Sequence, residues 1–287
     1  MPESDPEVKA PAIPPWMSRE LQQRVVSGAA IAVFGLAVLV WGPVPFAILL
    51  AVIAAAMSWE WSRIVRGDGS DAVAAVHIAT AVTAAGLAAF GMAGLALAAV
   101  SVGAITVAAL AAGSGRVVLS GAGVFYTGLP VIALEWLRGD GSLGLPAVLF
   151  ILLAVVATDT AAYFTGRTFG GPKLWPAVSP NKTWSGLAGG VTAAALTGAV
   201  FPYLSGSGWS SWLAGLGFVL GLVAQGGDLA ESALKRHFGL KDASDLIPGH
   251  GGFMDRMDGI VTASIAAALI ALVSEAYAPA RALLYGS

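Results

Sequence analysis

The chain has 287 residues, 57% of them hydrophobic and only 11% charged, with a mean hydropathy of +0.79, which excludes an ordinary soluble domain. It has no cysteine, so disulfides and thiolate-held metals are excluded, and a net charge of −2 gives no signal for a nucleic acid partner. A helix needs about 20 apolar residues to cross roughly 30 Å of hydrocarbon. Runs of that length recur here without the alternation of barrel strands. The expected fold is all-α: a polytopic integral membrane protein with about nine transmembrane helices.

Residues 1–20 are rich in proline and charge and read as a disordered cytoplasmic tail, since no apolar core follows a basic start as in a signal peptide. Residues 21–140 hold about five N-terminal spans, at 25–41, 46–61, 72–90, 93–112 and 117–137. Pro43 and Pro45 make a turn between the first two, and Gly128 and Pro130 are expected to bend the fifth. Residues 141–287 form the C-terminal region: spans at 143–164, 184–204, 209–238 and 259–278, with polar loops at 165–183 and 235–257. Trp41, Trp59, Trp61, Trp184, Trp209 and Trp212 fall at span ends, as does Trp16 before the first span, and read as interfacial anchors. Gly186, Gly189, Gly190, Gly217 and Gly221 suit close helix contacts, and a bilayer-embedded chain so rich in small residues is a candidate homodimer.

Placing the N-terminus in the cytoplasm puts all but Arg138 and Arg281 of the fifteen Lys and Arg residues on the inner side. The positive-inside rule favours that arrangement. Both charged loops then face the cytoplasm from a multi-pass protein of the cell's inner membrane.

The densest chemistry lies at 228–258, DLAESALKRHFGLKDASDLIPGHGGFMDRMD. An acid in a span costs roughly 2.5–3.5 kcal/mol at the bilayer centre, so each one implies a partner. Asp228, Ser232 and Lys235 share one helix face at spacings of four and three, with Glu231 and Arg236 close by. Asp255 and Asp258 share a face at the start of the last span. Carboxylates without thiols or paired histidines suit Mg²⁺, which is held by one or two carboxylates plus substrate phosphates. Lys235, Arg236, Lys241 and Arg256 suit phosphate oxygens, although each also satisfies the positive-inside rule alone. Gly249, Gly251 and Gly252 allow a close backbone approach to an anion. His250 between them suits either a phosphate contact, acid–base work or a hydrogen bond that stabilises the loop. Together these point to phosphoryl or nucleotidyl transfer.

A second patch runs from Asp159 through Tyr163 and Arg167 into GGPKLWPAVSPNKTWSG. Ser179, Lys182 and Thr183 precede a helix start, which favours anions. A plain N-cap would account for one hydroxyl but not for the lysine. Asp159 implies Arg167 or a cation as its partner.

These residues resemble the phosphatidate cytidylyltransferase (CDP-diacylglycerol synthase) family. Ser232, Lys235, Arg236, Lys241, Asp242, Ser244, Pro248, His250, Gly251, Gly252, Asp255, Arg256 and Asp258 follow that family's C-terminal motif in register. The 159–185 patch is similar to its DTGAYFxGRxFG and SPKKTWEG elements, with Ala161 for Gly, Asn181 for Lys and Ser185 for Glu. The resemblance covers the C-terminal half and implies the conversion of CTP and phosphatidic acid to CDP-diacylglycerol and pyrophosphate. It implies Mg²⁺ on Asp228 and Asp255, with Asp258 as a third ligand and a monovalent cation such as K⁺ as a candidate second ion. Lys235, Arg236 and His250 are then expected at phosphates. Ser179, Lys182, Thr183, Ser232, Lys241 and Arg256 are expected at the substrates. A CTP-dependent polyprenol or dolichol kinase shares this charge logic. A cation-coupled transporter would instead want its acids at the midplane, and the spacing of CDP-alcohol phosphotransferases is absent.

Overall fold

The structure is a computed structural model that describes residues 19–67, 69–206, 208–247 and 251–286. The tail up to residue 18 with Trp16, and Pro248, Gly249 and His250, lie outside the described residues. The chain runs α1 (Arg19–Trp41), α2 (Pro43–Arg66), α3 (Ala72–Ala89), α4 (Ala93–Leu110), α5 (Val117–Arg138), α6 (Gly144–Phe169), β1 (Lys173–Trp175), β2 (Ser179–Thr183), α7 (Trp184–Val200), α8 (Ser211–His237), α9 (Met254–Ser274) and α10 (Pro279–Tyr285). Among the described residues, eight helices, α2 to α9, are long and apolar enough to cross a membrane, and α1 adds the apolar stretch Ala30–Trp41. This is an all-α polytopic membrane architecture with one small antiparallel hairpin, β1–β2.

Local chemistry accounts for the boundaries. Pro43 opens α2, and Gly67 closes it in the left-handed region at φ +80°. Asp71 caps α3 by accepting from Ala74 N at 2.7 Å, and also pairs with Arg66. Four features depart from the sequence reading. The helix of the sixth span continues to Phe169, because nothing between 164 and 169 breaks it; Gly170 and Gly171, both at positive φ, do. The rest of the 165–183 loop is the hairpin. The helix of the ninth span begins at Met254, which places Asp255 and Asp258 in its first turns, and ends at Ser274; the unforeseen α10 follows from Pro279.

Small residues let the catalytic-half helices approach closely. A Cβ on Gly217 of α8 would stand 2.3 Å from Ala194 O of α7, and one on Gly190 of α7 would stand 2.8 Å from Thr158 O of α6. Trp61 is a correction to the anchor reading. It is buried, its Nε1 donates to Leu119 O at 2.8 Å, and it fills the space that a side chain at Gly123 would need. Met57, Trp61, Ile64, Val65, Ala243, Met254 and Val261 make an apolar cluster that joins α2 to the α8–α9 connection and to α9.

Candidate active site

Both charged patches open onto one cavity of about 700 Å³. Its acidic wall is Asp159 from α6, Asp228 from α8, and Asp255 and Asp258 from α9. Its basic wall is Arg167, Lys173, Lys182 and Arg256.

Lys182 joins the two patches. Its Nζ stands 2.5 Å from Asp228 Oδ2 and donates to Gln225 Oε1 at 3.0 Å. Gln225 Nε2 in turn donates to Asp159 Oδ1 at 2.9 Å. Of the two partners expected for Asp159, Arg167 or a cation, Arg167 is not the one the structure pairs with it; the Gln225 amide bonds it instead. Arg167 lies two helical turns further along α6, roughly 12 Å by helix rise, and donates to Tyr163 Oη at 2.7 Å. Ser232 Oγ donates to Asp228 Oδ1 at 3.3 Å.

Asp255 is held on both oxygens. Oδ1 pairs with Lys235, and Oδ2 accepts from Ala243 N at 2.9 Å and Gly252 N at 2.8 Å. Lys235 is buried and also donates to Glu231 Oε1 at 3.0 Å, while Tyr126 of α5 donates to Glu231 Oε2 at 2.9 Å. A buried charge needs such partners to offset its desolvation. Asp258 Oδ1 accepts from Gly259 N at 2.7 Å. Among the described residues, no three His, Asp or Glu side chains stand together as a metal-binding group. Asp228, Asp255 and Asp258 share a cavity without forming a ready-made cage.

Of the other residues named from the sequence, Thr183 reaches the cavity, whereas Ser179, Arg236 and Lys241 do not line it. Thr183 caps α7 by accepting from Gly186 N at 3.1 Å, as the N-cap reading had it, and also lines the cavity. Ser179 sits in β2 off the cavity wall. Arg236 braces neighbouring backbone, donating to Leu240 O at 2.9 Å and reaching Val178 O at 3.4 Å. Lys241 is exposed in the α8–α9 connection. Gln225 and Tyr126 were missed. Gln225 carried a readable signal, an amide in an apolar run one turn before Asp228; Tyr126 carried none.

A family model described as the cytidylyltransferase family matches residues 22–273. The chain belongs to the cytidylyltransferase family. The matched segment contains every residue placed above on the cavity wall. The chain is 49% identical to the phosphatidate cytidylyltransferase of Brucella suis biovar 1 over 145 residues, covering 50% of this chain and 53% of that protein. It is 43% identical to the phosphatidate cytidylyltransferase of Staphylococcus aureus (strain COL) over 139 residues, covering 48% and 52%. The chain thus spans about half the length of the curated relatives it matches.

Proposed function

We propose that this chain is a phosphatidate cytidylyltransferase that converts CTP and phosphatidic acid to CDP-diacylglycerol and pyrophosphate. The observation that carries the proposal is the single cavity whose four aspartates face Arg167, Lys173, Lys182 and Arg256. Curated relatives bearing that name share close to half their residues with this chain over the aligned stretch. In the reaction a phosphate oxygen of the lipid attacks the α-phosphorus of CTP, a new P–O bond forms, and the bond to pyrophosphate breaks. A phosphate monoester is already a competent nucleophile, so the protein's task is alignment and charge stabilisation.

An oxygen-only donor set of aspartates fits Mg²⁺, and the lack of a complete cage suits an ion that brings substrate phosphates as its remaining ligands. Asp228 and Asp255 would hold it, with Asp258 as a further ligand. Bound there, the ion would neutralise triphosphate charge and polarise the phosphorus under attack. Lys182, now paired with Asp228, is poised to exchange that carboxylate for a phosphate oxygen when the carboxylate turns to a cation. Arg167, Lys173 and Arg256 supply further donors to the triphosphate and the departing pyrophosphate. The lipid would bring its phosphate to the cavity while its acyl chains stay in the bilayer. The active site faces the cytoplasm of the cell's inner membrane, where CTP is available.

Label tracing tests the reaction. Purified protein with phosphatidate, Mg²⁺ and CTP labelled separately in cytidine or γ-phosphate should move only the cytidine label into lipid. Transfer of γ-label alone would make the chain a lipid kinase and overturn the proposal.

A further inference from the structure

Glu60 lies in the last two turns of the apolar helix α2, is fully buried, and is not among the residues that line the cavity. A buried carboxylate is tolerated only when it is well hydrogen-bonded, and among the described residues the partners of this one lie in the α8–α9 connection and at the first residue of α9. Its Oε1 accepts from Phe253 N at 2.9 Å and from Ser244 Oγ, and its Oε2 accepts from Met254 N at 2.8 Å. A helix leaves its first N–H groups unsatisfied, and the N-cap residue of α9, Phe253, makes no side-chain cap bond. Glu60 supplies the cap from a helix more than 190 residues away in sequence, with the sign of charge that a helix N-terminus favours. The fit is close: a Cβ on Gly252 would come within 2.5 Å of Glu60 Oε1. Asp255 grips the same turn through Gly252 N and Ala243 N. The segment that presents Asp255, Arg256 and Asp258 to the cavity is therefore clasped by one carboxylate from inside and another from α2.

We propose that Glu60 is a positioning residue for cytidylyl transfer, setting the orientation of α9's first turn and, through it, the metal-holding carboxylates. The proposal rests on the cytidylyltransferase reading of the cavity. Glu60→Gln keeps the shape but replaces one acceptor oxygen with an NH2 that faces N–H donors. In detergent-purified protein it should insert and fold with a lowered melting temperature, because buried N–H donors lose an acceptor, and at temperatures where it is folded it should lose roughly tenfold or more in kcat, with KM for phosphatidate unchanged. Binding of Mn²⁺, followed by electron paramagnetic resonance in the absence of CTP, should weaken by roughly the same factor. Gly252→Ala, which displaces the carboxylate without altering it, should show the same pattern in milder form, and remains informative if Glu60→Gln does not accumulate. Wild-type kcat and Mn²⁺ affinity in either folded variant would overturn the proposal. Failure of the wild-type protein to move cytidine label into lipid would instead overturn the functional reading, so the two outcomes are distinguishable.

Discussion

Asp228 pairs with Lys182 through a side chain that is 30% exposed, whereas Asp255 is only 7% exposed and holds Lys235, Ala243 N and Gly252 N. The same substitution should therefore act differently at the two sites. A partly exposed pair contributes about 0–1 kcal/mol. Asp228→Asn should leave the melting temperature nearly unchanged while cutting activity by roughly a hundredfold or more. Asp255→Asn should lose activity and also on the order of 2 kcal/mol of stability, because Lys235 keeps Glu231 but loses its second carboxylate. Thermal melts beside activity assays separate the cases. Much of this wall was legible in the sequence, where Asp159, Lys182, Asp228, Asp255, Arg256 and Asp258 stand out as charge among apolar residues. Lys235 was legible as a charge but not by its role, since which carboxylates it meets depends on how α8 packs on α9. Glu60 stood in plain view as an acid between two tryptophans of an apolar span, and its meaning appears only when α2 is laid beside α9.

The close packing of α6, α7 and α8 holds the two patches together. Gly217→Ala would drive a methyl against Ala194 O, a backbone atom that cannot move without shifting α7 and with it the hairpin that carries Lys182. The expected cost is about 1–3 kcal/mol, accompanied by lower transfer activity. Gly215→Ala, with nothing within 4 Å of the new methyl, is the control and should be neutral or slightly stabilising. Equal melting temperatures for the two variants would contradict the packing account. The spans themselves were readable because a bilayer demands long apolar runs. The last turn of α6, the β1–β2 hairpin and α10 were not, since short polar elements are stabilised by neighbours more than by their own composition.

For the whole molecule, the central question of sidedness has a clean test in a chain without native cysteine. Lys173→Cys on the cavity side should react with a membrane-impermeant maleimide only from the cytoplasm, and Tyr277→Cys, beyond the far end of α9, only from outside. Reaction of both from one face would contradict the topology. The account as a whole claims that two patches, distant in sequence, form one cytidylyl-transfer site. The most direct measurement is incorporation of cytidine label from CTP into phosphatidate vesicles by wild-type protein, Asp228→Asn and Lys182→Met, one variant from each patch. The account predicts labelled lipid from the wild type and its near-complete loss in both variants with the protein still folded. Labelled lipid at wild-type rates from either variant would contradict it.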